Sequence, residues 1–185
     1  MSPPSARPGA AGKAGKVRLL LLDVDGVLSD GGITFDGEGR ETKRFHVRDG
    51  HGIRMMQRVG LEVGILSGRH SGAVEVRAAE LGISLVRQGA HDKVAVWKEI
   101  LAERGIPAED TAYVGDDLVD LPLLRQVGFS ASVADAEEPV RAAADYVASR
   151  PGGQGAVREI IEFILRAGGR WEAAAGKYFR EGNGE

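Results

Sequence analysis

No cysteine occurs among the 185 residues. That excludes disulfides, a thiolate nucleophile and cysteine metal ligands, and it fits a reducing cytoplasm. Nor is there an apolar run near the ~20 residues needed to cross a bilayer. The first sixteen residues are rich in Pro, Ala and Gly, lack the apolar core of a signal peptide, and read as a disordered leader, 1–16. Positive charge is not in excess. A formal net charge of −3 gives no support for a nucleic-acid partner, and nothing points to a membrane partner. No internal repeat is visible.

What is present is an ordinary globular composition, 43% apolar and 28% charged, at a length that suits one domain with a sizeable core. The expected organisation is that leader, a folded domain over 17–168 and a C-terminal tail over 169–185. Charge is uneven inside it. Residues 43–93 carry nine Lys/Arg against five Asp/Glu. That local excess suits a small anionic substrate, although solvated helix faces would give the same count.

The chain is organised around Leu19-Leu20-Leu21-Leu22-Asp23-Val24-Asp25-Gly26. A short continuous apolar run reads as a buried parallel strand. It ends in two carboxylates and a glycine, at the strand end where open parallel sheets bind ligands. Solvated acids at a turn would look similar. The alternative is a hard-metal site with one carboxylate free to attack.

Downstream, 33–47 alternates apolar and polar residues around Asp36-Gly37 and predicts a β-hairpin flap. Arg48-Asp49-Gly50-His51-Gly52 predicts a turn feeding a helix over 53–59. A strand over 61–66 ends at Ser67-Gly68-Arg69. Asp92 predicts a helix cap with Lys93 in the first turn. A strand over 111–114 ends at Gly115-Asp116-Asp117, with Asp120 three residues on. Met55, Met56 and Trp97 read as core, and His46 and His51, taken singly, as surface or turn residues. Strands alternating with helices predict an α/β domain, a parallel sheet flanked by helices.

Four chemistry-bearing motifs thus sit in order at strand ends or helix starts. They suit phosphoryl transfer: a carboxylate nucleophile, a second carboxylate for acid–base work, oxygen ligands for Mg²⁺, and a hydroxyl and an ammonium for the transferring oxygens. The pattern resembles the haloacid dehalogenase superfamily and its Rossmann-like fold. By that resemblance Asp23 is the nucleophile and Asp25 the acid/base, whose backbone carbonyl also binds Mg²⁺. Ser67 holds the phosphoryl group, Lys93 steadies nucleophile and phosphate, and Asp116 ligates Mg²⁺. Gly68, Asp117 and Asp120 support them.

Only 41 residues separate Asp25 from Ser67, and 25 separate Ser67 from Lys93, so no cap domain is expected. Within the capless group, Phe45-His46-Val47-Arg48-Asp49-Gly50-His51-Gly52-Ile53-Arg54, Gln88-Gly89 and Gly152-Gly153-x-Gly155-Ala156-Val157-Arg158-Glu159 resemble the family that hydrolyses 3-deoxy-D-manno-octulosonate 8-phosphate, an anionic phosphorylated sugar acid. That resemblance implies substrate contacts from Asp25, His46, Val47, Arg48, Asp49, Gly50, Arg54, Arg69, Arg77 and Lys93. Position 46 is often Asn in the family, so His46 would contribute through its backbone. It also implies a cytoplasmic homotetramer serving lipopolysaccharide sugar biosynthesis. Phosphatases of nine-carbon sugar acids share these motifs, and a catalytically silent binding module on the same fold is the reading from another class.

Overall fold

A computed structural model describes residues 3–179. A seven-stranded sheet forms the middle of the molecule. Its strands, in chain order, are β1 (Ser5–Ala6), β2 (Leu19–Leu22), β5 (Glu62–Leu66), β6 (Leu85–Arg87), β7 (Thr111–Gly115), β8 (Phe129–Ser132) and β9 (Tyr146–Val147). Across the sheet they run β1-β9-β8-β7-β2-β5-β6, all parallel except β1 on β9. The remaining two strands, β3 (Thr34–Phe35) and β4 (Glu41–Thr42), pair antiparallel as a separate hairpin. No cap domain interrupts the described residues.

All four leucines of β2 are fully buried between β5 and β7, with Leu22 opposite Ile65 and Val114. The strand order reverses at β2. Right-handed crossovers then put α2 (Val47–Arg58) and α3 (Gly72–Leu81) on one face. They put α4 (Lys93–Arg104), α5 (Leu121–Leu124) and α6 (Glu138–Ala143) on the other. Among the helices of the first face, α2 packs on α7 (Ala156–Ala167), and both touch α8 (Trp171–Ala175). Met55, Met56 and Trp97 lie in the core.

Two expectations are corrected. Residues 1–16 do not read as a disordered leader over their described part. β1 extends the sheet beside β9, and α1 (Ala10–Ala14) packs on α7 with Ala10 and Ala14 buried. Small side chains four residues apart share one helix face and allow that close contact. Lys13 ties α1 to the sheet as well, through an ion pair at 2.7 Å to Asp145, just before β9. The second correction is α2, which begins at Val47 rather than near residue 53. Gly50 and Gly52 lie within the helix, where Gly is intrinsically unfavourable. A Cβ at Gly50 would come 2.4 Å from the Arg77 guanidinium, and one at Gly52 3.0 Å from the Arg158 side chain. These glycines are there to let α3 and α7 approach.

The hairpin is shorter than 33–47. Its turn is held by the Asp36 carboxylate, which accepts the N–H groups of Glu38 and Arg40 (both 2.9 Å) and the Arg40 Nε (2.7 Å). Ile33 and Phe35 are 51% and 61% exposed. Tail residues up to 179 lie on the chain's own α2, where Arg58 donates to the Ala174 carbonyl (2.7 Å) and the Tyr178 hydroxyl lies 2.9 Å from His51 Nε2.

The loop before α7 closes against the first motif with no space to spare: a Cβ on Gly152 would fall 1.7 Å from the Gly26 carbonyl oxygen. Gly152→Ala is expected to lose about 1–3 kcal/mol in denaturant unfolding, because backbone must move. Gly37→Ala, where the space is open and φ is not positive, should be near neutral. Equal effects would contradict this packing.

Candidate active site

Two adjacent strands, β2 and β7, deliver the acids. Asp23 follows β2, and its N–H donates to the Val114 carbonyl of β7 (3.0 Å). Asp116 follows β7 itself. One carboxylate oxygen from each of Asp23, Asp116 and Asp120 lies within 4.8 Å of the others. Gly26 makes room for this. Its φ is +87°, and a Cβ would sit 2.0 Å from Asp116 Oδ2, so both the backbone and the space demand glycine.

The three acids are not equivalent. Asp120 is fully committed. Its Oδ1 accepts Lys93 Nζ and the Tyr113 hydroxyl, both at 2.6 Å, and its Oδ2 accepts the N–H groups of Asp116 (3.0 Å) and Asp117 (3.2 Å). Burial, reinforced by Asp23 and Asp120, pushes the Tyr113 phenol well up, so it remains a donor. Lys93 also reaches Asp23 Oδ2 at 3.1 Å. Burial disfavours its ammonium, but Asp23 and Asp120 outweigh burial and raise its pKa. Lys93 opens α4, whose cap is Asp92, accepting the Ala95 N–H at 3.0 Å.

Asp116 has no such compensation. Its Oδ1 is buried with no hydrogen-bond partner. Burial first, then Asp23 and Asp120, push its pKa up to about 8. Burial raises Asp23 to about 6 against the attraction of Lys93. Two crowded carboxylates, one with an orphaned oxygen, fit a hard divalent cation taking oxygen ligands. Asp120 has no oxygen to spare for it. Asp117 instead caps the next turn, accepting the Leu118 N–H at 2.6 Å.

Ser67 is buried at the end of β5, with its N–H on the Arg87 carbonyl (2.9 Å) and its carbonyl accepting from Ala90 (3.0 Å). Gly68 and Arg69 complete that turn. The Asp25 carboxylate is met by Lys43 Nζ (2.5 Å), Arg69 Nε (3.3 Å) and Ser29 Oγ (3.4 Å). Lys43 and its partner Glu41 were not among the expected site residues. Their signal lay in the hairpin's alternation, which puts residues 41 and 43 on one face.

The structure therefore gathers Asp23, Asp25, Ser67, Arg69, Lys93, Asp116, Asp117 and Asp120 along one sheet edge. The rest of the expected substrate set is elsewhere. Val47, Gly50, Arg54 and Arg77 line a groove of about 220 Å³ between α2 and α3. There Arg54 donates to the Glu80 carbonyl (3.0 Å) and Arg77 pairs with the Glu80 carboxylate (2.7 Å). Arg48 lines a different cleft with Arg150 and Arg158. The side chains of Asp49 and His46 are engaged in helix caps. Asp49 is buried and accepts the N–H groups of Arg158 (2.7 Å) and Gly155 (3.2 Å), capping α7. His46 caps α2 through the Arg48 N–H (3.2 Å).

The sequence pattern of the haloacid dehalogenase-like hydrolases matches residues 83–160. The chain is 47% identical over 165 residues, 89% of its length and 88% of the relative's, to the 3-deoxy-D-manno-octulosonate 8-phosphate phosphatase KdsC of Escherichia coli (strain K12). It belongs to this phosphatase family. Among solved family members, the enzyme from Moraxella catarrhalis, in complex with magnesium, phosphate and KDO, superposes with a TM-score of 0.89 at 42% identity, covering 91% of this chain and 97% of that one. The enzyme from Yersinia pestis gives 0.86 at 44% identity, covering 88% of each chain.

In this family member the raised pKa values set a pH dependence. Asp23 and Asp116 titrate higher when folded than their ordinary 3.8. Their protonation therefore favours the metal-free fold at low pH, and that contribution is lost as pH rises through about 6 and about 8. A divalent cation competes with those protons. The gain in melting temperature on adding Mg²⁺ should grow from about pH 5 to about pH 9, with proton release on binding measurable by calorimetry. A gain independent of pH would contradict the two-carboxylate site.

Proposed function

We propose that the chain hydrolyses 3-deoxy-D-manno-octulosonate 8-phosphate to the free sugar acid and phosphate, using Mg²⁺. The observation that carries this is the Asp23–Asp116 pair at the sheet's switch point, with Lys93 already on Asp23. Asp23, Asp116 and the Asp25 backbone carbonyl would hold Mg²⁺, which would supply charge neutralisation for the phosphoryl oxygens.

The remaining work belongs to side chains. An Asp23 oxygen attacks phosphorus, and the bond from phosphorus to the sugar oxygen breaks with its electron pair left on that oxygen. Asp25 gives the oxygen its proton. Water then attacks the phosphorylated Asp23, Asp25 takes the water's proton, and the Asp23 carboxylate is regenerated as phosphate departs. Lys93 and the Ser67 hydroxyl stabilise the transferring oxygens, and Asp120 keeps Lys93 aimed. Arg69, half exposed and shared between Asp25 and Glu41, is the cation that suits the substrate's carboxylate. The named relatives are phosphatases of the eight-carbon substrate, and every chemical position here is filled by a competent residue, which disfavours a silent binding module.

On this reading, phosphate release from the sugar-acid phosphate should far exceed release from a neutral sugar phosphate. Asp23→Asn should lower turnover about a thousandfold or more without loss of fold. Near-wild-type activity in that variant, or equal rates on both substrates, would refute it.

The exposed Ile33 and Phe35, the missing cap and the position of Arg54 and Arg77 away from Asp23 support a homotetramer. In it hairpins cover neighbouring sites, and part of the sugar-acid pocket comes from the neighbour. We read the enzyme as cytoplasmic, in lipopolysaccharide sugar biosynthesis; no helix among the described residues is long and apolar enough to cross a membrane. Ile33→Asp with Phe35→Asp should dissociate the tetramer in sedimentation, because burying unpaired charge is costly. It should spare aryl phosphate hydrolysis and depress sugar-acid phosphate hydrolysis. A monomeric wild type, or a dissociated variant with unchanged specificity, would contradict the assembly.

A further inference from the structure

The hairpin is tied to the catalytic edge by a closed ring of four alternating charges. Lys43 Nζ lies 2.5 Å from Asp25 Oδ1 and 2.7 Å from Glu41 Oε1. Arg69 closes the ring, with Nη2 3.1 Å from the same Glu41 oxygen and Nε 3.3 Å from Asp25 Oδ2. Lys43 is the buried member: its side chain is 1% exposed, whereas that of Arg69 is 47% exposed. Burial works against the Lys43 ammonium, but Asp25 and Glu41 more than offset it and its pKa lies above the ordinary value.

We propose that Lys43 is a positioning residue for Asp25, the fixed anchor that keeps the acid/base aimed while Arg69 is free to turn to substrate. This rests on the phosphatase reading above. A general acid must meet the leaving oxygen within hydrogen-bond reach. Asp25 stands on the loop after β2, outside the sheet ladder, and its carboxylate is held by side chains. Ser29 gives it one long contact at 3.4 Å. When Arg69 leaves for the substrate's carboxylate, Lys43 is the one short charged contact left. Being buried and held on its other side by Glu41, Lys43 has nowhere else to go. The same contact couples the hairpin to the chemistry, because Lys43 directly follows β4. A hairpin seated by its own domain or by a neighbour thereby sets the aim of Asp25.

Positioning differs from substrate binding in what it does to leaving groups. An alkoxide needs the proton from Asp25, whereas p-nitrophenolate departs without it. The test compares full-length wild type and Lys43→Met, both with Mg²⁺, in rapid-quench first turnovers at saturating substrate. The substrates are the sugar-acid phosphate and p-nitrophenyl phosphate. Misplacing a general acid should slow the first by about tenfold or more. It should leave the aryl first turnover within about threefold and the KM values little changed. Lys43→Arg, which keeps a cation, should recover part of the loss.

If Lys43→Met does not fold, the charge-balanced pair Lys43→Met/Glu41→Gln carries the same comparison. Equal slowing of both substrates, no slowing of either, or a rise in KM with the leaving-group preference intact would overturn the inference and make Lys43 a structural pin or a substrate ligand. A wild type inactive on both substrates would instead overturn the phosphatase reading beneath it.

Discussion

Carboxylates gathered in a poorly solvated place must be neutralised, and that constraint shapes this molecule. Parallel strands β2 and β7 end side by side and bring Asp23, Asp116 and Asp120 within 4.8 Å of one another. Lys93 compensates Asp120 and part of Asp23. Tyr113 and two backbone N–H groups saturate what is left of Asp120. For Asp116 the attraction of Lys93 is outweighed by burial and by Asp23 and Asp120, and its Oδ1 has no hydrogen-bond partner among the described residues. That surplus negative charge suits a divalent cation, which would complete the neutralisation that the protein leaves unfinished and supply the positive charge an incoming phosphate needs.

The same logic repeats at lower density one residue pair away. Asp25 is balanced by Lys43 and Arg69, and Glu41 balances those two in turn. One set of charges is rigid and buried, tied to sheet strands and the start of α4. The other spans the hairpin and the turn after β5, where one arginine is half exposed. The division matches the division of labour in phosphoryl transfer, in which the nucleophile and phosphate stay fixed while substrate recognition has to open and close.

The sheet and its acids were legible in the sequence for a plain reason. Leu19-Leu20-Leu21-Leu22 followed by Asp-x-Asp-Gly carries burial and chemistry in one local signal, and the helix cap at Asp92 does the same for Lys93. What was not legible depends on tertiary partners. Gly50 and Gly52 read as turn residues because local propensity is all that a sequence shows; their place inside α2 is set by Arg77 and Arg158 from other helices. Asp49, in the same stretch, could not reveal that it caps α7 more than a hundred residues away. The alanines of α1 read as leader because small residues give a weak hydrophobic signal, yet small size is what lets α1 seat on α7. Lys43 was only half visible: Glu41 is its neighbour on one hairpin face, but its other partner, Asp25, comes from the loop after β2.

The central claim is that Asp23 becomes covalently phosphorylated. Acid quench during steady turnover, followed by borohydride reduction and peptide mass spectrometry, reads this directly, since an acyl phosphate is reduced to the alcohol. The account expects homoserine at position 23, only when substrate and Mg²⁺ are both present, and at no other aspartate. An unmodified Asp23 under conditions that release phosphate, or reduction at Asp25 or Asp116 instead, would contradict it.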